Sequence, residues 1–195
     1  MSGPRPPPDL HRRSPDLLDV ATGSTLHRFY TAAFDPIHFD RSGAGRFNAV
    51  DASHGVLYCA MSVAGGFAET FLRTPGRTLI DPAFLRRKAY VRLAVVAPLR
   101  FVRLYGPGMA KIGATAEVAH GGLPYILPQS WAKAIADHPI RPDGLVYHAR
   151  HDDTELCCAI FDRASACVIE DSRIVDLDQD WFWRLAERYG IGMTP

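Results

Sequence analysis

The chain has 195 residues, 47% of them hydrophobic and 22% charged, which supports one folded domain with a core of its own. Twenty-two Lys and Arg against 21 Asp and Glu leave a formal net charge of +1, so nothing marks the whole surface as a nucleic-acid or membrane binder. No stretch is long and apolar enough to cross a membrane, and no hydrophobic region follows the N-terminal arginines as in a secretory signal. Cys59, Cys157, Cys158 and Cys167 form no C-x-x-C pair, which excludes a zinc ribbon or thioredoxin motif. They are expected to be small buried residues in a reducing cytoplasm.

Five of the fifteen prolines, at 4, 6, 7, 8 and 15, fall in the first twenty residues. With the charges between them they predict a tail over 1–22, disordered or loosely docked, and a single domain over 23–195. Leu26 to Thr31 reads as a first strand. Asp35 to Ala52 reads as a loop rich in Gly, Ser, Asp and Asn. Val56 to Ala60 is a second strand. Ser62 to Arg73 is a helix with Ser62 as its N-cap and Pro75-Gly76 ending it. Ala89 to Val96 and Leu99 to Leu104 are strands joined at Pro98. Tyr105 to Gly122 reads as irregular. Gln129 to Asp137 is a helix, Gly144 to Tyr147 and Leu156 to Phe161 are strands, and Gln179 to Tyr189 is a terminal helix. Its Trp181, Phe182 and Trp183 are expected in the core. Strands cluster without regular βαβ alternation, which predicts an α+β fold with a mostly antiparallel central sheet flanked by short helices.

Four residues in this order form a kit for one ligand class. Arg28 and Arg46 offer forked, permanent cations for a pyrophosphate, which arginine suits better than lysine. Glycines around Arg46 let backbone N–H groups approach a phosphate. Tyr58 offers an aromatic face for a cationic ring. Glu69 offers a carboxylate to stabilise an oxocarbenium-like ribose. A nicotinamide dinucleotide has these parts, and its nicotinamide leaves as a neutral molecule with no general acid. Each residue alone also fits a plain structural role, as a solvated glutamate, a rim tyrosine, a surface arginine or a turn. The argument is their order and spacing.

Other patterns are weaker. His148-Ala149-Arg150-His151-Asp152-Asp153 has metal-binding residue types, but in a strand His148 and His151 face opposite sides, so no metal is expected. The run Gly43-Ala44-Gly45-Arg46-Phe47-Asn48 has neither the leading strand nor the following helix of a dinucleotide-binding turn. Arg86-Arg87-Lys88 reads as a solvated strand edge or turn.

The blocks Arg28, Gly45-Arg46-Phe47-Asn48, Gly55-Val56-Leu57-Tyr58, Ala68-Glu69, Asp143 to Arg150 and Cys158-Ala159-Ile160-Phe161 together resemble the RES domain, over roughly Thr25 to Val168. The resemblance implies an ADP-ribosyltransferase-like fold and a toxin of a toxin–antitoxin pair whose antitoxin is of the Xre helix-turn-helix type. It implies degradation of NAD⁺ as substrate by phosphorolysis or hydrolysis, with inorganic phosphate as co-substrate in the first case and no bound cofactor. ADP-ribosylation of a protein target is the alternative activity. It marks Glu69 as the catalytic carboxylate with Arg46 beside it. Arg28, Tyr30, Arg46, Asn48 and Tyr58 become NAD⁺-binding positions, and His148 and Arg150 candidates for holding an anion. One departure stands out: Tyr147-His148-Ala149-Arg150 has alanine where the family commonly has serine. A chain weakened there becomes a partner-binding module that lacks turnover. Neither direct nucleic-acid binding nor membrane binding is expected, and a homo-oligomer stays open.

Overall fold

The computed structural model describes residues 3–74 and 76–193. Its strands are β1 (Leu17–Val20), β2 (Thr25–Thr31), β3 (Val56–Ala60), β4 (Leu79–Ile80), β5 (Lys88–Val95), β6 (Leu99–Arg103), β7 (Gly144–Ala149), β8 (Asp152–Phe161), β9 (Val168–Ile174) and β10 (Gly192–Met193). Its helices are α1 (Val63–Phe71), α2 (Pro82–Arg86), α3 (Pro107–Ile112), α4 (Ala116–His120), α5 (Ile126–Ala136) and α6 (Asp180–Glu187). Eight strands form one sheet in the order β1-β6-β7-β8-β3-β2-β5-β9, and β10 pairs with β4 in a small second sheet. Within the large sheet only β6 and β7 run parallel, so the expected α+β fold with a mostly antiparallel sheet is what forms.

The sheet curls. Val91 and Leu93 of β5 share a buried cluster with Leu99 and Phe101 of β6, although β7, β8, β3 and β2 lie between them in the sheet order. The two ends of the sheet therefore face each other across this inner core. A second core lies under α3, α4 and α5, where Trp131, Ile135 and Val118 pack on Leu145, Tyr147 and Phe161. A third lies under α1 and α6, where Phe67 and Phe182 pack on Phe29 and Tyr90. Phe182 is fully buried there as expected, whereas Trp181 and Trp183, also expected in the core, are half-buried at its margin.

The curl parts the sheet at one seam. β2 and β3 pair only at His27 and Ala60. Helix α1 lies over this seam, and Gly65 and Gly66 explain how closely it sits. A Cβ on Gly65 would stand 3.2 Å from the Ala60 methyl, and one on Gly66 3.4 Å from the Phe29 ring. Ser62 caps the helix by accepting from the Gly65 N–H at 2.9 Å. Pro75, expected with Gly76 to end this helix, lies outside the described residues.

Several elements differ from the sequence reading. The stretch over 1–22 was expected to be a disordered or loosely docked tail, and within it β1 pairs antiparallel with β6 and Leu10 is buried. The Trp131 indole N–H donates to the Pro4 carbonyl at 2.7 Å, so proline-rich chain is docked through its backbone. Tyr105 to Gly122 holds two short helices instead of irregular chain, and α5 starts three residues early. β9 escaped notice because it is an edge strand whose central five residues are exposed.

Candidate active site

Where β2 and β3 part, a cleft of about 570 Å³ opens between the two halves of the sheet. Arg28, Tyr30, Arg46, Tyr58, Glu69 and Arg150 all line it.

Arg28 occupies the seam itself. Its Nη1 donates to the Tyr58 carbonyl at 2.7 Å. Tyr58 lies opposite Ala159 of β8 in a register where the neighbouring Met61 N–H bonds to Leu156, so Tyr58 turns its polar groups toward β2. With β2 peeled away, the guanidinium takes the place of the missing strand. Burial pushes the Arg28 pKa below its ordinary range. Its Nε is buried without a partner, and among the described residues no carboxylate pairs with it. A desolvated, uncompensated guanidinium at the wall of a cleft suits an anionic ligand.

Glu69 sits in the last turn of α1 and faces the same space. Its Oε1 accepts from the Arg150 backbone N–H at 2.8 Å, and its Oε2 stands 3.5 Å from Arg46 Nη2. A bulge between His148 and Ala149 at the end of β7 precedes this N–H and lets it turn toward α1. Arg46 Nη1 donates to the Ala119 carbonyl at 3.0 Å, and Arg150 Nη2 to the His120 carbonyl at 2.6 Å. The last turn of α4 thus presents two carbonyl oxygens that orient two arginines around one carboxylate. Arg46 also lies over the Tyr147 ring, 5.6 Å from its centroid.

The loop before β3 is built around the Tyr58 hydroxyl. It accepts from the Phe47 N–H and donates to Asn48 Oδ1, both at 2.8 Å. Asn48 Nδ2 donates to Asp40 Oδ2 at 2.7 Å and to the Ser42 carbonyl at 2.6 Å. From α5, Gln129 Nε2 donates to the Gly43 and Gly45 carbonyls at 2.8 and 3.0 Å. Gly45 is required: a Cβ there would stand 2.2 Å from Asn48 Oδ1 and 2.6 Å from Tyr58 Oη. Burial raises the Tyr58 phenol pKa, so it stays a neutral donor and acceptor.

Two expected positions are not brought to the cleft. Asn48 is fully buried and holds the loop together, away from the cleft wall. His148 points to the other face of β7, where its ring packs 4.8 Å from that of Tyr105. Alternation along β7 explains this, since Tyr147 lines the cleft from the opposite face. Ala149 is buried in the core under α5 and is not part of the lining, so its missing hydroxyl leaves the Arg150 contact to Glu69 in place. Sequence reasoning missed Arg73, Lys88, Tyr125 and His151 in the lining and Gln129 behind it. Lys88 reaches the cleft because β5 pairs it with Thr31, a long-range register that no local pattern reveals. Among the described residues no group of three His, Cys, Asp or Glu is placed to hold a metal ion, and no helix is long and apolar enough to cross a membrane.

The family model described as RES domain matches residues 23–184. Comparison with curated proteins found no match. Among solved structures, the chain is similar to one from the MbcT–MbcA toxin–antitoxin complex of M. tuberculosis, with a TM-score of 0.61 and 14% identity over 87% of this chain and 92% of that one. At that identity the likeness speaks for the fold, while the family match spans every cleft residue from Arg28 to His151, so the chain belongs to the RES domain family.

Proposed function

We propose that this protein cleaves NAD⁺ at its nicotinamide–ribose bond and acts as the toxin of a toxin–antitoxin pair. The observation that carries this reading is the Glu69 carboxylate, fixed in the cleft by Arg46 and the Arg150 N–H across from the uncompensated Arg28. Arg28 and Arg46 hold the pyrophosphate, and the Tyr58 and Tyr147 rings border the nicotinamide. The C1″–N bond breaks with its electron pair leaving on nicotinamide, which departs neutral. Positive charge develops on the ribose, and Glu69 stabilises it without reorganising. Inorganic phosphate then gives ADP-ribose-1″-phosphate, or water gives ADP-ribose, the surplus proton of water passing to solvent.

The solved relative of similar fold is a member of a toxin–antitoxin complex, which supports a protein partner for this chain, of the Xre helix-turn-helix type. We place the reaction in the cytoplasm, where NAD⁺ is available and the free thiols stay reduced. The test is incubation of the purified protein with NAD⁺, with and without phosphate, and chromatography of the products. Nicotinamide release is expected, and phosphate dependence identifies the nucleophile. Intact NAD⁺ after incubation with folded protein overturns the reading.

A further inference from the structure

The cations of the cleft fall into two groups. Arg46 and Arg150 surround Glu69 and are tied to the carbonyls of α4. Arg28, Arg73 and Lys88 also line the cleft, and among the described residues none of them has a carboxylate ion pair. Asp40, the other carboxylate of the lining, already accepts from Ser42 and Asn48.

Lys88 opens β5 directly across from Thr31, and its ammonium donates to Thr31 Oγ1 at 3.1 Å while lying 5.1 Å from the centre of the Phe84 ring. Arg73 Nε donates to the Glu69 carbonyl at 2.8 Å, which holds its stem and leaves both Nη groups for a ligand. Burial of Lys88, then the nearby Arg73, Arg28 and Arg87, push the Lys88 pKa down. Three like charges gather here against the single Asp40 carboxylate, which acts on Arg28, and an anion joining them would relieve the surplus. The lining sets Arg28, Arg46, Arg73, Lys88 and Arg150 against Glu69 and Asp40, so the two negative charges of the NAD⁺ pyrophosphate still leave positive charge in surplus. Arg73 and Lys88 are the cations that neither surround Glu69 nor are assigned to the pyrophosphate. A phosphomonoester adds about 1.5 to 2 negative charges and three acceptor oxygens.

We infer that Arg73, Lys88 and the Thr31 hydroxyl form a phosphomonoester subsite, so that the cleft takes NADP⁺, phosphorylated on its adenosine ribose, at least as well as NAD⁺. The inference rests on the NAD⁺ reading above and deepens its substrate class. The bond broken is the same, and the added phosphate is bound without reacting.

The test is calorimetric binding of NAD⁺ and NADP⁺ to Glu69→Gln protein, alone and combined with Lys88→Ala, Lys88→Arg or Arg73→Ala. The dissociation constant for NADP⁺ is expected to equal or undercut that for NAD⁺. Lys88→Ala is expected to lower the preference for NADP⁺ by about tenfold or more, as does loss of a charged hydrogen bond. Lys88→Arg, which keeps the charge, retains most of it. Arg73→Ala, at an exposed position, gives the same loss should Lys88→Ala fail to fold. Binding of NAD⁺ with NADP⁺ about tenfold weaker overturns the inference alone. Equal weakening of both nucleotides in the Lys88→Ala and Arg73→Ala proteins does the same, placing these residues at the pyrophosphate. If neither nucleotide binds and wild-type protein consumes neither, the NAD⁺ reading falls and the inference with it.

Discussion

Replacing Tyr58 with Phe separates the ring of this residue from its hydroxyl. The ring stays at the cleft, and two hydrogen bonds of 2.8 Å disappear. Phe47 and Asn48 are fully buried, so neither the Phe47 N–H nor Asn48 Oδ1 can turn to water. An orphaned buried donor costs about 1–3 kcal/mol and the second bond about 1 kcal/mol more, giving roughly 2–4 kcal/mol. For a domain of this size each kcal/mol shifts Tm by about 2–4 °C, so a fall of roughly 4–16 °C is expected by calorimetry. Because Arg46 precedes Phe47 in the same loop, NAD⁺ affinity should fall along with Tm. Gly45→Ala, whose Cβ would collide with Asn48 Oδ1 and the Tyr58 hydroxyl, should reproduce both effects. An unchanged Tm in Tyr58→Phe would show that the hydroxyl does not hold the loop, and the reasoning that assigns Asn48 and Gly45 to it would fail.

Other perturbations probe separate parts of the account. Arg28→Ala should raise the dissociation constant for NAD⁺ about tenfold or more, because the buried guanidinium has no ion-pair partner among the described residues and an unpartnered Nε. An unchanged constant in titration calorimetry contradicts its role. Gln129→Ala should loosen the loop that carries Arg46 and lower kcat/KM roughly tenfold, whereas Gln129→Glu, which keeps shape but loses both N–H donors, should not rescue it. Rescue by Gln129→Glu would show that the amide matters only for packing. His27, His54, His120 and His151 all have pKa values lowered by burial. The unfolded chain therefore binds more protons below pH of about 6.5, and stability is lost as pH falls through that value toward the lower folded-state pKa values. Melting curves between pH 7.5 and about 5.5 should show Tm falling, and a flat or rising profile refutes this.

Much of the fold was legible because buried strands announce themselves. β2, β3, β5, β6, β7 and β8 are apolar or alternating runs, and each forms where the pattern placed it, within a few residues. β9 has polar residues at four of its five exposed positions, and β1 is four residues inside a proline-rich stretch, so neither carries a local signal of pairing. Both are stabilised by partners distant in sequence, β5 and β6. At the site, Arg28, Arg46, Tyr58 and Glu69 were legible through residue chemistry and order, and the structure gathers them in one cleft. Asn48 and His148 sit in the right segments but point elsewhere, one into its own loop and one across the pleat. Lys88, Arg73 and Gln129 depend on register and on the packing of α1 and α5, which no short spacing encodes.

The most direct test of the central claim is nicotinamide release from NAD⁺ by wild-type and Glu69→Gln proteins, measured beside NAD⁺ binding to each. The substitution keeps the shape of the side chain and removes its charge, so binding should persist while turnover falls by a factor on the order of 10² to 10³. Undiminished release by folded Glu69→Gln protein would contradict the account, because the carboxylate held by Arg46 and Arg150 would not be the group that stabilises the ribose.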